Sequence, residues 1–69
     1  MREFIKKLEE MIPTTELQES LLSVILELAR EGNTESIRDL LVDATMRFNG
    51  ELVNFALNIL IEFERMEGK

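Results

Sequence analysis

The chain reads as an all-α protein of four short helices. Three observations carry that reading. Apolar residues recur at three- and four-residue spacings along nearly all of the 69 residues. The breaks in that rhythm fall at Pro13, Gly32 and Asn49-Gly50, residues that stop helices or turn the chain. No segment shows the apolar–polar alternation of a half-buried strand.

The first helix is expected over residues 2–12, with Phe4, Ile5, Leu8, Met11 and Ile12 on one face. Pro13 ends it, because its ring disfavours helical geometry at the preceding residue and it has no N–H to donate. The second is expected over 16–31. Thr15 and Gln18 fit a capping box, in which each side chain satisfies a free N–H of the first turn. Leu17, Leu21, Val24, Ile25 and Leu28 form its main apolar face, and Gly32 suits the left-handed position that ends a helix. The third, 35–48, starts after Thr34 as N-cap and carries Ile37, Leu40, Leu41, Ala44 and Phe48. The fourth, 51–66, is apolar nearly all round. Only Glu51, Asn54, Asn58, Glu62 and Arg65 draw a narrow polar line, and such a helix is buried by several neighbours or by another chain. Tight turns of a few residues favour antiparallel neighbours, either as a compact bundle or as stacked hairpins.

Length allows a single domain, residues 1–69, with a marginal core. Hydrophobic residues make up 45% of the chain and charged ones 32%, the mix of a soluble globular protein rather than a disordered one. The net charge of −6 is uneven. Residues 1–13 balance, and the acidic excess is greatest over 14–33. No stretch is basic enough to neutralise a row of phosphates, so nucleic acid is not an expected partner. Lys6, Lys7, Glu9 and Glu10 interrupt the first apolar residues, which speaks against a secretory signal. The longest greasy stretch, 52–61, is too short to span a bilayer. A cytoplasmic protein without a membrane role is expected.

An internal echo runs through the chain. Displaced by 35 residues, Glu16, Leu17, Leu22, Glu27 and Arg30 fall on Glu51, Leu52, Leu57, Glu62 and Arg65. Displaced by 36, Phe4, Ile5, Leu8 and Ile12 fall on Leu40, Leu41, Ala44 and Phe48. Amphipathic helices also match one another by chance at some register, but helical-hairpin repeats have periods of this size. Over residues 1–66 the chain resembles the tetratricopeptide class. Gly32 sits at the turn between helices, Ala44 at a small packing position and Pro13 after a second helix. It departs from that pattern at Ile25, where a small residue belongs, at Leu28, where an aromatic belongs, and at Asn49, where a proline belongs. The resemblance implies hairpin geometry and a concave face that holds an extended or helical ligand. It places Leu22, Leu26, Leu57 and Ile61 on that face.

Leu22 and Leu26 lie beyond the main face of helix 2, and Leu57 and Ile61 are their counterparts on helix 4 under the 35-residue displacement. Leu22 and Leu26, with Ala29, make a second row on helix 2, and Val42 and Met46 sit one turn apart off the stripe of helix 3. Either they are core in a closed bundle, or some stay exposed and bind a partner helix or a second copy of the chain. Asn54 and Asn58 are open to two readings as well, an exposed edge or hydrogen-bonded residues that set register at an interface. Met11 is expected in the core, and Met46 and Met66 in contact with something else.

Catalytic chemistry finds little support. Without Cys or His there is no thiol nucleophile, imidazole base or usual zinc site. Bundle di-metal centres need a Glu-x-x-His motif. The i, i+4 carboxylates Asp39/Asp43 and Glu27/Glu31 read as solvated faces near Arg38, Arg47 and Arg30, and Ser20, Ser23 and Ser36 lack a base. No enzyme, cofactor, metal or small-molecule substrate is expected. The expected role is a structural or scaffold bundle. Start and stop signals that agree with the global pattern suit a computationally designed chain. Only three alanines, and Asn, Thr and Met inside helices, count against design. The alternative is an interaction module that holds an amphipathic helix, or a second copy of itself, through an apolar groove on helices 2 and 4.

Overall fold

The computed structural model describes residues 1–68. Its four helices are α1 (Arg2–Glu10), α2 (Glu16–Arg30), α3 (Thr34–Arg47) and α4 (Glu51–Glu67).

The ends follow local chemistry. α1 stops two residues earlier than expected: Met11 is already extended, with ψ 141°. Proline's restriction of its predecessor spreads back one residue here, and Ile12 leaves the helix 82% exposed instead of joining the core. Thr15 caps α2 by accepting from the Gln18 N–H at 3.1 Å. The reciprocal bond goes to Thr14, not Thr15. The Gln18 Oε1 accepts from the Thr14 N–H at 2.7 Å and from its hydroxyl at 3.0 Å.

The α2–α3 turn is a Schellman motif. Gly32, at φ 74°, donates to Ala29 O, and Asn33 donates to Leu28 O. Asn33, not Thr34, is the N-cap of α3, and its side chain accepts from the Ser36 N–H at 3.2 Å. One residue thus closes α2 and opens α3. Phe48 is extended beyond the last turn of α3, so it stands about half exposed outside the stripe expected to bury it. Gly50, with φ 74° and ψ −139°, starts α4 in a region that essentially only glycine occupies.

The helices close into a bundle. Each packs against its chain neighbours, α1 also packs against α4, and α2 meets α4 across the middle. The start of α1 meets the end of α4 through Phe4 and Phe63. The start of α3 meets the same end through the Arg38–Glu67 ion pair. These contacts, start against end, fit antiparallel neighbours. A stack of hairpins contacts only successive units and keeps its first and last helices apart. Here they touch, while α1 and α3 do not among the described residues. The radius of gyration, 10.9 Å, matches the value of roughly 11 Å for a compact chain of this length.

The core takes Phe4 and Leu8 from α1, Leu22, Ile25 and Ala29 from α2, Ile37, Leu41 and Ala44 from α3, and Ala56, Ile59 and Phe63 from α4. All three alanines of the chain are buried. They serve close approach between helices rather than helix propensity. The buried positions repeat at 34 residues in α2 and α4, not at 35: Leu22, Ile25 and Ala29 correspond to Ala56, Ile59 and Phe63. The echo in residue identity is therefore one position, about 100° of helix, out of step with the echo in packing.

Candidate interaction surface

α2 carries two adjacent rows with the same spacing. Leu17, Leu21, Val24 and Leu28 form one, and Gln18, Leu22, Ile25 and Ala29 form the other. Hydropathy favours the first as the buried face. The bundle buries the second, and the two hydrogen bonds from Thr14 make that feasible by satisfying the Gln18 carbonyl oxygen. Leu17 is left 60% exposed and Val24 45% exposed, in place of the core positions expected for them. Leu21 and Leu28 lie between, half-buried against the core.

Among the residues singled out as interface candidates, Leu22 is buried and Leu26 packs half-buried against the core, so neither lines an open groove. Leu57 (40% exposed) and Ile61 (50% exposed) stay at the surface of α4, one turn apart. Asn54 and Asn58 are exposed beside them. Val42 and Met46 are exposed on α3. The structure thus splits the expected groove: its α2 half enters the core and its α4 half remains outside. Met66, expected as a contact residue, packs against the core, as does Met11. Leu17 and Val24 are the surface residues that periodicity missed. The signal that could have found them is Gln18 itself, because a side chain reaching back to the start of its own helix must lie against the chain there.

Charges on the surface are partly paired. Arg47 meets Asp43 at 2.7 Å, Arg65 meets Glu62 at 3.2 Å, and Arg30 reaches across to Glu9 on α1 at 3.4 Å. Arg38 pairs with Glu67, and its guanidinium lies 5.6 Å from the centroid of the Phe63 ring. Of the two carboxylate pairs flagged in the sequence, Asp39/Asp43 has a basic neighbour on Asp43. Glu27 and Glu31 have none within ion-pair distance among the described residues, since Arg30 turns to Glu9.

Open hollows rather than enclosed cavities mark the surface. One of about 660 Å³ lies between α1 and α4 over Met1, Phe4 and Met66. Another, of about 750 Å³, lies where the start of α1 meets the end of α2, with Arg2, Lys6 and Arg30 at its rim. Among the described residues no group of three or more acidic side chains is gathered to hold a metal ion. No helix among them is long and apolar enough to cross a membrane. No protein-family model, curated protein or solved structure matches the chain.

Proposed function

We propose that the chain is a non-catalytic helical scaffold that binds another polypeptide through the apolar side chains its bundle leaves outside. One observation carries the reading. The core closes with all four helices contributing, yet Leu17, Val24, Val42, Leu57 and Ile61 stand exposed on the helices. Each forfeits roughly 1 kcal/mol of burial, and together they approach the whole stability of a small domain, about 5 kcal/mol at the low end. Contact with a partner recovers that energy.

A designed origin is a companion reading. No non-glycine residue has positive φ, and no buried side-chain polar atom lacks a partner among the described residues. The surface follows a different rule, because a design without a binding task keeps large apolar residues off it. Binding is therefore placed ahead of an idle scaffold, whatever the origin.

The test uses the intact chain, with a cooperative denaturation curve showing that it is folded. A hydrophobic dye is expected to fluoresce on the folded protein, and Leu17→Gln with Leu57→Gln to remove most of that signal. A folded chain that leaves the dye dark rejects the reading.

A further inference from the structure

On α2 the acidic excess of the chain coincides with an apolar row in which Leu17 and Val24 are exposed and Leu21 and Leu28 half-buried. Next to Leu17, Leu21, Val24 and Leu28 runs a solvent-facing row, Glu16, Ser20, Ser23 and Glu27, at the same helical spacing and continued by Glu31. A shallow hollow on this face is lined by Glu16, Glu19, Ser20, Ser23 and Val24, with no base among them. The one base of α2, Arg30, is engaged with Glu9. Arg2 and Lys6 share the rim of another hollow with Glu31, but neither comes within ion-pair distance of it.

Glu27 and Glu31 also sit where the fold gains nothing from them. They occupy the last turn and C-cap of α2, beside the carbonyls that make a helix C-terminus negative, where cations rather than carboxylates are favoured. An external cation placed there would meet two carboxylates and the helix dipole together.

We propose that the outer face of α2 docks a basic amphipathic helix, its apolar row on Leu17, Leu21, Val24 and Leu28 and its cations over Glu16, Glu27 and Glu31. This rests on the binding reading above and adds the chemistry of the partner. The apolar row runs about 16 Å, three helical turns. A second copy of the chain fits poorly. A two-fold pairing of α2 with itself sets Glu16 against Glu31, and like charges across an interface are rejected.

The probe is a synthetic helix of leucine and lysine, with leucines at i, i+4, i+7 and i+11. It is compared with a leucine–glutamate peptide of the same apolar spacing and with a scrambled leucine–lysine peptide. Binding to isotope-labelled full-length chain is followed by amide shifts. The lysine helix is expected to bind, with shifts concentrated on residues 16–31 and affinity falling as salt rises. Glu27→Lys with Glu31→Lys should weaken it about tenfold. Because lysine suits the C-terminal end of α2 better than either native residue, loss of binding there is not loss of fold. Equal binding of the glutamate peptide overturns the basic partner while leaving apolar docking in place. Equal binding of the scrambled peptide, shifts centred on α4, or indifference to the double variant overturns the proposal too. If no peptide binds, the proposal falls, and the dye experiment decides separately whether the binding reading falls with it.

Discussion

The rings of Phe4 and Phe63 meet edge to face, centroids 5.4 Å apart and planes at 63°, and this contact joins the first helix to the last. Both side chains are buried. α1 is the shortest helix and buries only Phe4 and Leu8, so the pair is a large part of its attachment.

Phe63→Ala should therefore cost about 3–5 kcal/mol, enough to unfold much of the population of a domain this small. Phe4→Leu and Phe63→Leu should each be milder. The coupling between them in a double-mutant cycle should be about 0.5–1.5 kcal/mol. Urea denaturation followed by circular dichroism measures all three, and a coupling near zero would show that α1 is held elsewhere.

Leu22 and Leu57 fall on each other in the 35-residue echo, yet one is buried and the other 40% exposed. Leu22→Ala should cost about 2–5 kcal/mol. Leu57→Gln should stay within about 0.5 kcal/mol of the parent. Equal costs in chemical denaturation would mean that the two helices bury equivalent faces after all.

The start of α2 depends on Thr15 and on the buried Gln18. Thr15→Ala should lose about 1 kcal/mol. Gln18→Leu leaves the Thr14 N–H and hydroxyl without their acceptor and should cost about 1–3 kcal/mol. A stabilised Gln18→Leu variant, read from the denaturation midpoint, would mean that hydropathy alone governs this position.

Gly32 and Gly50 share φ 74°, and nothing crowds either Cβ direction. The difference lies in the backbone. Gly32 terminates a Schellman motif, where asparagine is also accepted. Gly50, at ψ −139°, lies outside the left-handed helical well. Gly32→Asn should be tolerated, whereas Gly50→Asn should cost about 1–3 kcal/mol. Thermal melts of the two variants make the comparison, and equal melting temperatures would refute it.

At −6 net charge, copies of the chain repel one another in dilute buffer. Sedimentation velocity should show a monomer at low ionic strength. Any self-association through Leu57 and Ile61 should grow as salt shortens the screening length. A dimer that dissociates with added salt would instead point to complementary charges between copies.

The sequence by itself determined the number and kind of elements and, to within two residues, where each begins and ends. Those features are local: Pro13 removes a donor, Thr15 and Asn33 supply acceptors to exposed amides, and Gly32 and Gly50 permit a backbone that other residues resist. It also marked α4 as a helix with several neighbours, since a helix apolar on nearly every side needs them; α4 packs against all three others, as does α2. Only the tertiary structure decided which side of α2 turns inward. Two adjacent rows with the same spacing differ by a rotation of about 100° about the helix axis, and helical periodicity is blind to that rotation when both rows are largely apolar. The choice joined one local contact, Gln18 satisfied by Thr14, to two distant in sequence, Ala29 small enough for a close neighbour and α1 closing on α4. That choice moved Leu22 into the core and left Leu17 and Val24 outside.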